Sequence, residues 1–159
     1  MSRKDVPVRL EAIDTPHVTV TASAAPAAAA PGARVSLFVD ITPKPKMHVY
    51  SPQQDNYIPV SLTLESNRAI RADAAVFPKA EKYFFAPLKE TQLVYSKPFR
   101  IVQPVTLASA SALRDARHLP GTLTIQGSLR YQACDDAICY LPKTLPISWS
   151  IDLKPAAIQ

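Results

Sequence analysis

Three glycines and two cysteines in 159 residues are the first thing this chain lacks, and each scarcity removes a class of function. So few glycines leave almost no room for the Gly-rich loop that brings backbone amides against a phosphate. A zinc site wants more Cys and His at tight spacing than two cysteines and three histidines provide. No apolar run approaches the roughly 18–20 residues that a membrane helix needs, so direct membrane insertion is not expected. There is no Ser-His-Asp grouping and no internal repeat. Lysine and arginine outnumber acidic residues 18 to 13 but are scattered, with no basic run. The +5 charge therefore bears on solubility and encounter rates, and nucleic acid is not an expected partner. Met1-Ser-Arg-Lys begins like a targeting n-region, yet Asp5, Val6, Pro7, Val8 and Arg9 follow in place of an apolar stretch. No signal peptide is expected in the chain as read.

What is abundant is proline, 16 residues, and alternation of period two. Prolines shape stiff connections between extended segments and argue against long helices. In Gly121–Tyr131, Leu123, Ile125, Leu129 and Tyr131 fall on one side, with Thr122, Thr124, Gln126, Ser128 and Arg130 on the other. Leu145, Ile147, Trp149, Ile151 and Leu153 alternate in the same way with Pro146, Ser148, Ser150 and Asp152. Val35, Leu37, Val39 and Ile41, and then Val60, Leu62 and Leu64, repeat the pattern. Shorter candidates lie at 17–21, 47–50, 69–77 and 99–107. One face buried and one wet predicts antiparallel sheets packed face to face. The expected fold is all-β, an immunoglobulin-like β-sandwich. One domain is expected over residues 1–159, with 1–16 extended or frayed and 17–153 forming the sandwich. The alanine-rich stretch 22–33 is expected to be a loop, because Pro26 and Pro31 would break a helix. One helical turn is expected around Leu113.

The two cysteines, Cys134 and Cys139, stand with four residues between them, flanked by strand-like sequence. If Cys134 ends one strand and Cys139 opens the next, residues 135–138 make the turn. Facing positions on antiparallel strands bring Cα atoms to about 4.5–5.5 Å, within reach of a disulfide. Closing so short a ring contributes only about 2 kcal/mol in the chain-entropy model, against nearly 5 for a loop of about a hundred residues. Three readings stay open: a redox pair, a structural disulfide that pins a hairpin, and unpaired or metal-bound thiols. Asp135 and Asp136 disfavour a thiolate at Cys134, so an exchanging pair would react when a partner's activated thiolate or disulfide docks on it. Cysteine usage fits a periplasmic or a cytosolic home. A blue-copper site, which needs two His and one Cys with a weak Met, is not expected, since Tyr140-Leu-Pro follows Cys139 and supplies neither His nor Met. No cofactor or metal is expected. Tyr83, Phe84 and Phe85 form an aromatic cluster. Neighbours in a regular strand point to opposite faces, so Phe84 and Phe85 cannot both be buried in one.

Leu129-Arg-Tyr-Gln-Ala-Cys-Asp-Asp-Ala-Ile-Cys-Tyr-Leu-Pro142, followed by Leu145-Pro-Ile-Ser-Trp149, resembles the N-terminal periplasmic domain of the thiol:disulfide interchange protein DsbD family. Pro45-Lys-Met-His-Val-Tyr-Ser-Pro52 is similar to the strand beside the cysteines in that family. Phe77-Pro-Lys-Ala-Glu-Lys-Tyr-Phe-Phe85 and Val94-Tyr-Ser-Lys-Pro-Phe-Arg-Ile101 complete a resemblance that covers roughly residues 34–153. It implies an immunoglobulin-like sandwich acting as a protein-disulfide reductase in the periplasm, its leader removed. Electrons would come from a membrane-embedded reductase domain and pass to thioredoxin-fold proteins, such as disulfide isomerases and cytochrome c maturation factors. By position, Cys139 matches the cysteine that forms the mixed disulfide and Cys134 the one that resolves it. His48 and Tyr50 match aromatic positions lining the site, which Asp135 and Asp136 also flank. Phe84, Phe85 and Leu88 are the candidates for a cap loop over the sulfurs. The chain departs from the best-known member in having four residues between the cysteines where that member has five. The membrane domain and the thioredoxin-like domain of the family are not expected within these 159 residues. The alternative function is a non-enzymatic interaction module with a structural hairpin disulfide.

Overall fold

In the computed structural model, residues 12–116, 118 and 121–155 are described. Thirteen strands occur among them: β1 Ala12–Asp14, β2 Val18–Ala25, β3 Ala28–Ala29, β4 Arg34–Pro43, β5 His48–Tyr50, β6 Ser61–Leu64 and β7 Ile70–Ala72, then β8 Glu81–Phe85, β9 Glu90–Tyr95, β10 Phe99–Leu107, β11 Gly121–Tyr131, β12 Ala133–Cys134 and β13 Lys143–Leu153. One sheet runs β1-β2-β4-β10-β7, a second β3-β13-β11-β6 and a third β12-β5-β9-β8. All pairings are antiparallel except β13 with β3. The fold is the immunoglobulin-like β-sandwich expected from the alternation.

That alternation is what builds the core. Val35, Leu37, Val39 and Ile41 of β4 are buried with Ile101 and Val105 of β10, in one cluster with Leu123, Ile125 and Leu129 of β11 and Ile147, Trp149 and Ile151 of β13. Trp149 is plain core, and its indole Nε1 donates to the Phe38 carbonyl of β4 at 3.0 Å, which satisfies its polar edge and ties the second sheet to the first. The longest ladder, β11 with β13, runs from Gly121↔Leu153 to Tyr131↔Lys143 and delivers the chain to the cysteines at its end.

Three expectations change. Residues 22–33 are not all loop: β2 continues to Ala25, and Ala28–Ala29 pairs in parallel with Asp152 and Leu153. The prolines do prevent a helix, but alanine's backbone still joins a ladder, and a run of alanines shows no polar–apolar alternation to betray it. Residues 69–77 are strand only over β7, with a single further bridge from Val76 to Val102. The sheet also begins before His17, because Ala12–Asp14 pairs with β2 across a turn in which Thr15 Oγ1 accepts from Val18 N at 3.0 Å. A three-residue strand is too short to show periodicity. The rest of the N-terminal segment, residues 1–11, lies outside the described residues. The helical turn around Leu113 is there, as α1 Ala110–Asp115 capped by Ser109, with Leu113 fully buried. No helix of the described residues is long and apolar enough to cross a membrane.

Candidate functional site

The third sheet carries the site. β5 sits between β12 and β9, with His48 opposite Cys134 and Tyr50 opposite Val94. In β5 His48, Val49 and Tyr50 are all buried. Side chains two apart share a face, so His48 and Tyr50 lie on the same side of the strand. Cys134 and Cys139 form a disulfide with Cα atoms 4.0 Å apart, facing each other across a four-residue turn as a non-hydrogen-bonded pair, the close kind in an antiparallel ladder. Cys139 does not open a strand: it makes an isolated bridge to Cys134, and β13 starts at Lys143. Pro142, which lacks an amide and restricts the residue before it, keeps this stretch out of the ladder.

The two cysteines differ in access. Cys134 is fully buried, whereas Cys139 is exposed, with Ile138 and Leu141 exposed beside it, Leu141 to 81%. Tyr50 is the residue that meets both, its hydroxyl oxygen 3.3 Å from each sulfur. Its ring stacks on Tyr57 at 4.6 Å between centroids. Tyr57 donates in turn to Glu90 Oε1, which also accepts from Gln92 Nε2 at 2.8 Å. Burial pushes the Tyr50 phenol up to about 12, with the neighbouring Tyr57 and Glu90 adding to the rise. Tyr50 therefore stays a protonated donor throughout the neutral range.

The turn between the cysteines is held by Asp135. Its Oδ1 accepts from the amides of Ala137 and Ile138, both at 2.8 Å, and its Oδ2 accepts from the Tyr140 hydroxyl at 2.7 Å. These bonds hold the carboxyl down to about 2, the Ile138 amide contributing most. Asp136 is exposed and accepts from the Tyr83 hydroxyl at 2.9 Å, joining β8 to the turn. His48 lies 4.4 Å from the Tyr83 ring and is pulled below its ordinary pKa by burial, against the opposing pull of Asp136, Asp135 and Glu81.

The structure thus brings His48, Tyr50, Asp135 and Asp136 together around the cysteines. The cap-loop candidates divide: β8 is a regular strand, so Phe85 is buried and Phe84 faces solvent, 60% exposed. Leu88, in the single helical turn Ala86–Leu88 between β8 and β9, is exposed as well. From this segment it is Tyr83 that packs on the cluster of Tyr50, Val94 and Cys134. The sequence does not single out Tyr57, Glu90, Gln92 or Tyr140 as site residues: the first three reach the site through strand pairing or contacts between distant segments, and Tyr140 adjoins Cys139 but bonds Asp135 through a turn geometry that no local pattern announces. Among the described residues no group of three or more His, Cys, Asp or Glu is gathered to hold a metal.

A family model described as thiol:disulfide interchange protein DsbD, N-terminal, matches residues 16–149. Among solved structures, the N-terminal periplasmic domain of ScsB from Proteus mirabilis is similar, with a TM-score of 0.54 and 13% identity over 89% of this chain and 49% of that one. This chain therefore spans about half the length of that structure, and the likeness is one of fold. The DsbD N-terminal domain of Neisseria meningitidis, in its reduced form, superposes with a TM-score of 0.48 at 16% identity, over 74% of this chain and 78% of that one. No curated protein matches the sequence.

Proposed function

Because this chain belongs to the family of DsbD N-terminal domains, we propose that it is a periplasmic thiol–disulfide exchange module that reduces thioredoxin-fold proteins through Cys134 and Cys139. The observation that carries the reading is the difference in access between the two cysteines: Cys139 is an exposed residue among apolar neighbours, and Cys134 is fully buried. In the reduced protein the Cys139 thiolate attacks one sulfur of the partner's disulfide, and the partner's second sulfur leaves as a thiolate. Cys134, deprotonated, then attacks Cys139 Sγ and expels the partner's remaining thiolate. Two electrons pass to the partner, two protons follow, and the Cys134–Cys139 disulfide is left behind. A dithiol supplied by a membrane-embedded reductase domain reverses the sequence, attacking Cys139 first because Cys134 is closed to solvent. Ile138 and Leu141 give the docking partner apolar surface beside the reacting sulfur, and Tyr50 faces the departing one.

A purely structural disulfide is the weaker reading, since the turn is already closed by the Asp135 carboxylate and by the Asp135 amide on the Ile138 carbonyl at 2.9 Å. The test is equilibration with glutathione buffers. The expected potential lies between about −180 and −270 mV, in the range of disulfide oxidoreductases, and a value far below about −300 mV defeats the proposal. Cys134→Ser is expected to trap a mixed disulfide with a thioredoxin-fold protein through Cys139. Trapping only by Cys139→Ser reverses the assignment.

A further inference from the structure

We propose that Asp135, with Tyr140, is a positioning residue that keeps the reduced Cys139 within reach of Cys134, and so sets how fast a mixed disulfide is resolved. The inference deepens the exchange reading and rests on it for its part in turnover.

A dithiol of this kind faces a problem once its bond is broken. Cys139 is an exposed residue in a segment that belongs to no strand, and nothing in the disulfide itself remains to hold it. The resolving step is intramolecular, so its rate and its equilibrium follow the effective concentration of one sulfur at the other. Whatever fixes the turn independently of the sulfurs raises that concentration.

The geometry around Asp135 does this. One carboxylate accepts the amides of Ala137 and Ile138 and the hydroxyl of Tyr140, so it is bonded to both residues that flank Cys139. The Tyr140 amide donates back to the Ala133 carbonyl at 2.9 Å, and Gln132 Nε2 donates to the Tyr140 carbonyl at 3.1 Å. Tyr140 is braced from the far side by His17, whose ring stacks on it at 4.1 Å between centroids. His17 belongs to the turn between β1 and β2, and that turn is tied to β11 by the Tyr131 hydroxyl donating to Thr15 Oγ1 at 3.3 Å. None of these contacts uses a sulfur atom. Breaking the S–S bond removes none of them directly.

A carboxylate beside a thiol also acts through its charge, and the experiment separates the two roles. The equilibrium constant for disulfide formation is measured against glutathione for the wild-type chain, Asp135→Ala, Asp135→Asn and Tyr140→Phe, with folding checked by Trp149 fluorescence. Asn keeps an oxygen for the two amides and loses the charge; Phe keeps the His17 stack and loses the hydroxyl. Asp135→Ala is expected to lower the constant about tenfold, the worth of roughly one hydrogen bond to a charged acceptor, which is a potential about 30 mV less negative. Asp135→Asn is expected to restore most of that loss, and Tyr140→Phe to show part of it. The mixed disulfide of Asp135→Ala with glutathione should also resolve about tenfold more slowly. Equal shifts in Asn and Ala variants assign the effect to charge and overturn the proposal, as does an Ala variant within twofold of wild type. If Asp135→Ala does not fold, Tyr140→Phe decides, and a wild-type constant there overturns the proposal. Failure of the exchange reading shows separately, as a wild-type potential in the structural range with no trapped partner, while the ratios between variants still report on the clasp.

Discussion

The Tyr50 hydroxyl stands 3.3 Å from Cys134 Sγ and 3.3 Å from Cys139 Sγ, so one donor faces both ends of the bond that exchange must break. Neither sulfur of a disulfide carries a proton, so the phenol is the donor, and its pKa of about 12 keeps it one. When a nucleophile takes Cys139, negative charge develops on Cys134 in a pocket closed to water. A hydrogen bond to that charge is stronger than one to the neutral disulfide, and only the difference accelerates the step. Tyr50→Phe keeps the stack on Tyr57 and removes the donor. Reduction by dithiothreitol, followed by stopped flow, is expected to slow about five- to tenfold, corresponding to roughly 1–1.5 kcal/mol, with little change in Tm. An unchanged rate would make the hydroxyl a packing neighbour only.

Access to the sulfurs is the second point open to trial. Phe85 is 3% exposed, so Phe85→Ala is expected to destabilise the fold by about 3–5 kcal/mol, read from urea midpoints. Phe84→Ala, at a largely exposed position, is expected to stay within about 0.5 kcal/mol. Tyr83 packs on the cysteine cluster and bonds Asp136. Tyr83→Ala is therefore expected to speed alkylation of reduced Cys134 by iodoacetamide, and to do so more than Phe84→Ala. The reverse order would give the covering role to Phe84.

Reduction itself should leave the fold standing. The core of β4, β10, β11 and β13 includes no sulfur, and a six-residue ring contributes at most about 2 kcal/mol in the chain-entropy model. Urea denaturation of the oxidised and reduced wild-type protein is expected to differ by no more than about that amount. A reduced form that unfolds at room temperature would return the disulfide to a structural role.

How far the chain could be read without its structure depends on where the information sits. β11 and β13 are long, half-buried and polar on the wet face, so Leu123 to Tyr131 and Leu145 to Leu153 announce themselves through alternation alone. β3 is hidden because Ala28 and Ala29 lack contrast, and β8 because its exposed positions, Lys82 and Phe84, include a large apolar ring. The cysteines were legible because they are the only pair and stand at hairpin spacing. Tyr50 and His48 were legible only through the resemblance, since nothing in a three-residue strand says which face meets sulfur. Glu90, Tyr57 and His17 become neighbours of the site through register and loop placement, which are properties of the whole sandwich.

His48 gives the fold a pH dependence whose sign can be worked out. Burial lowers its pKa in the folded state below the ordinary 6.5, the nearby Asp136, Asp135 and Glu81 only partly opposing this. Its Nε2 is buried with no hydrogen-bond partner among the described residues, so protonation there meets no ready acceptor. The unfolded chain takes up the proton near 6.5, and the folded chain only at a lower pH. Stability is therefore complete above about pH 6.5 and falls as the pH drops from there towards the folded-state value, by at most about 1.4 kcal/mol per pH unit. Below that value the loss stops growing. His48→Phe has no proton to bind and retains a ring against Tyr83, so its urea midpoint is expected to vary less between pH 7 and pH 5 than that of the wild type. Equal slopes for the two would remove His48 as the source of the acid sensitivity and would mean that its imidazole finds a proton acceptor in the folded state.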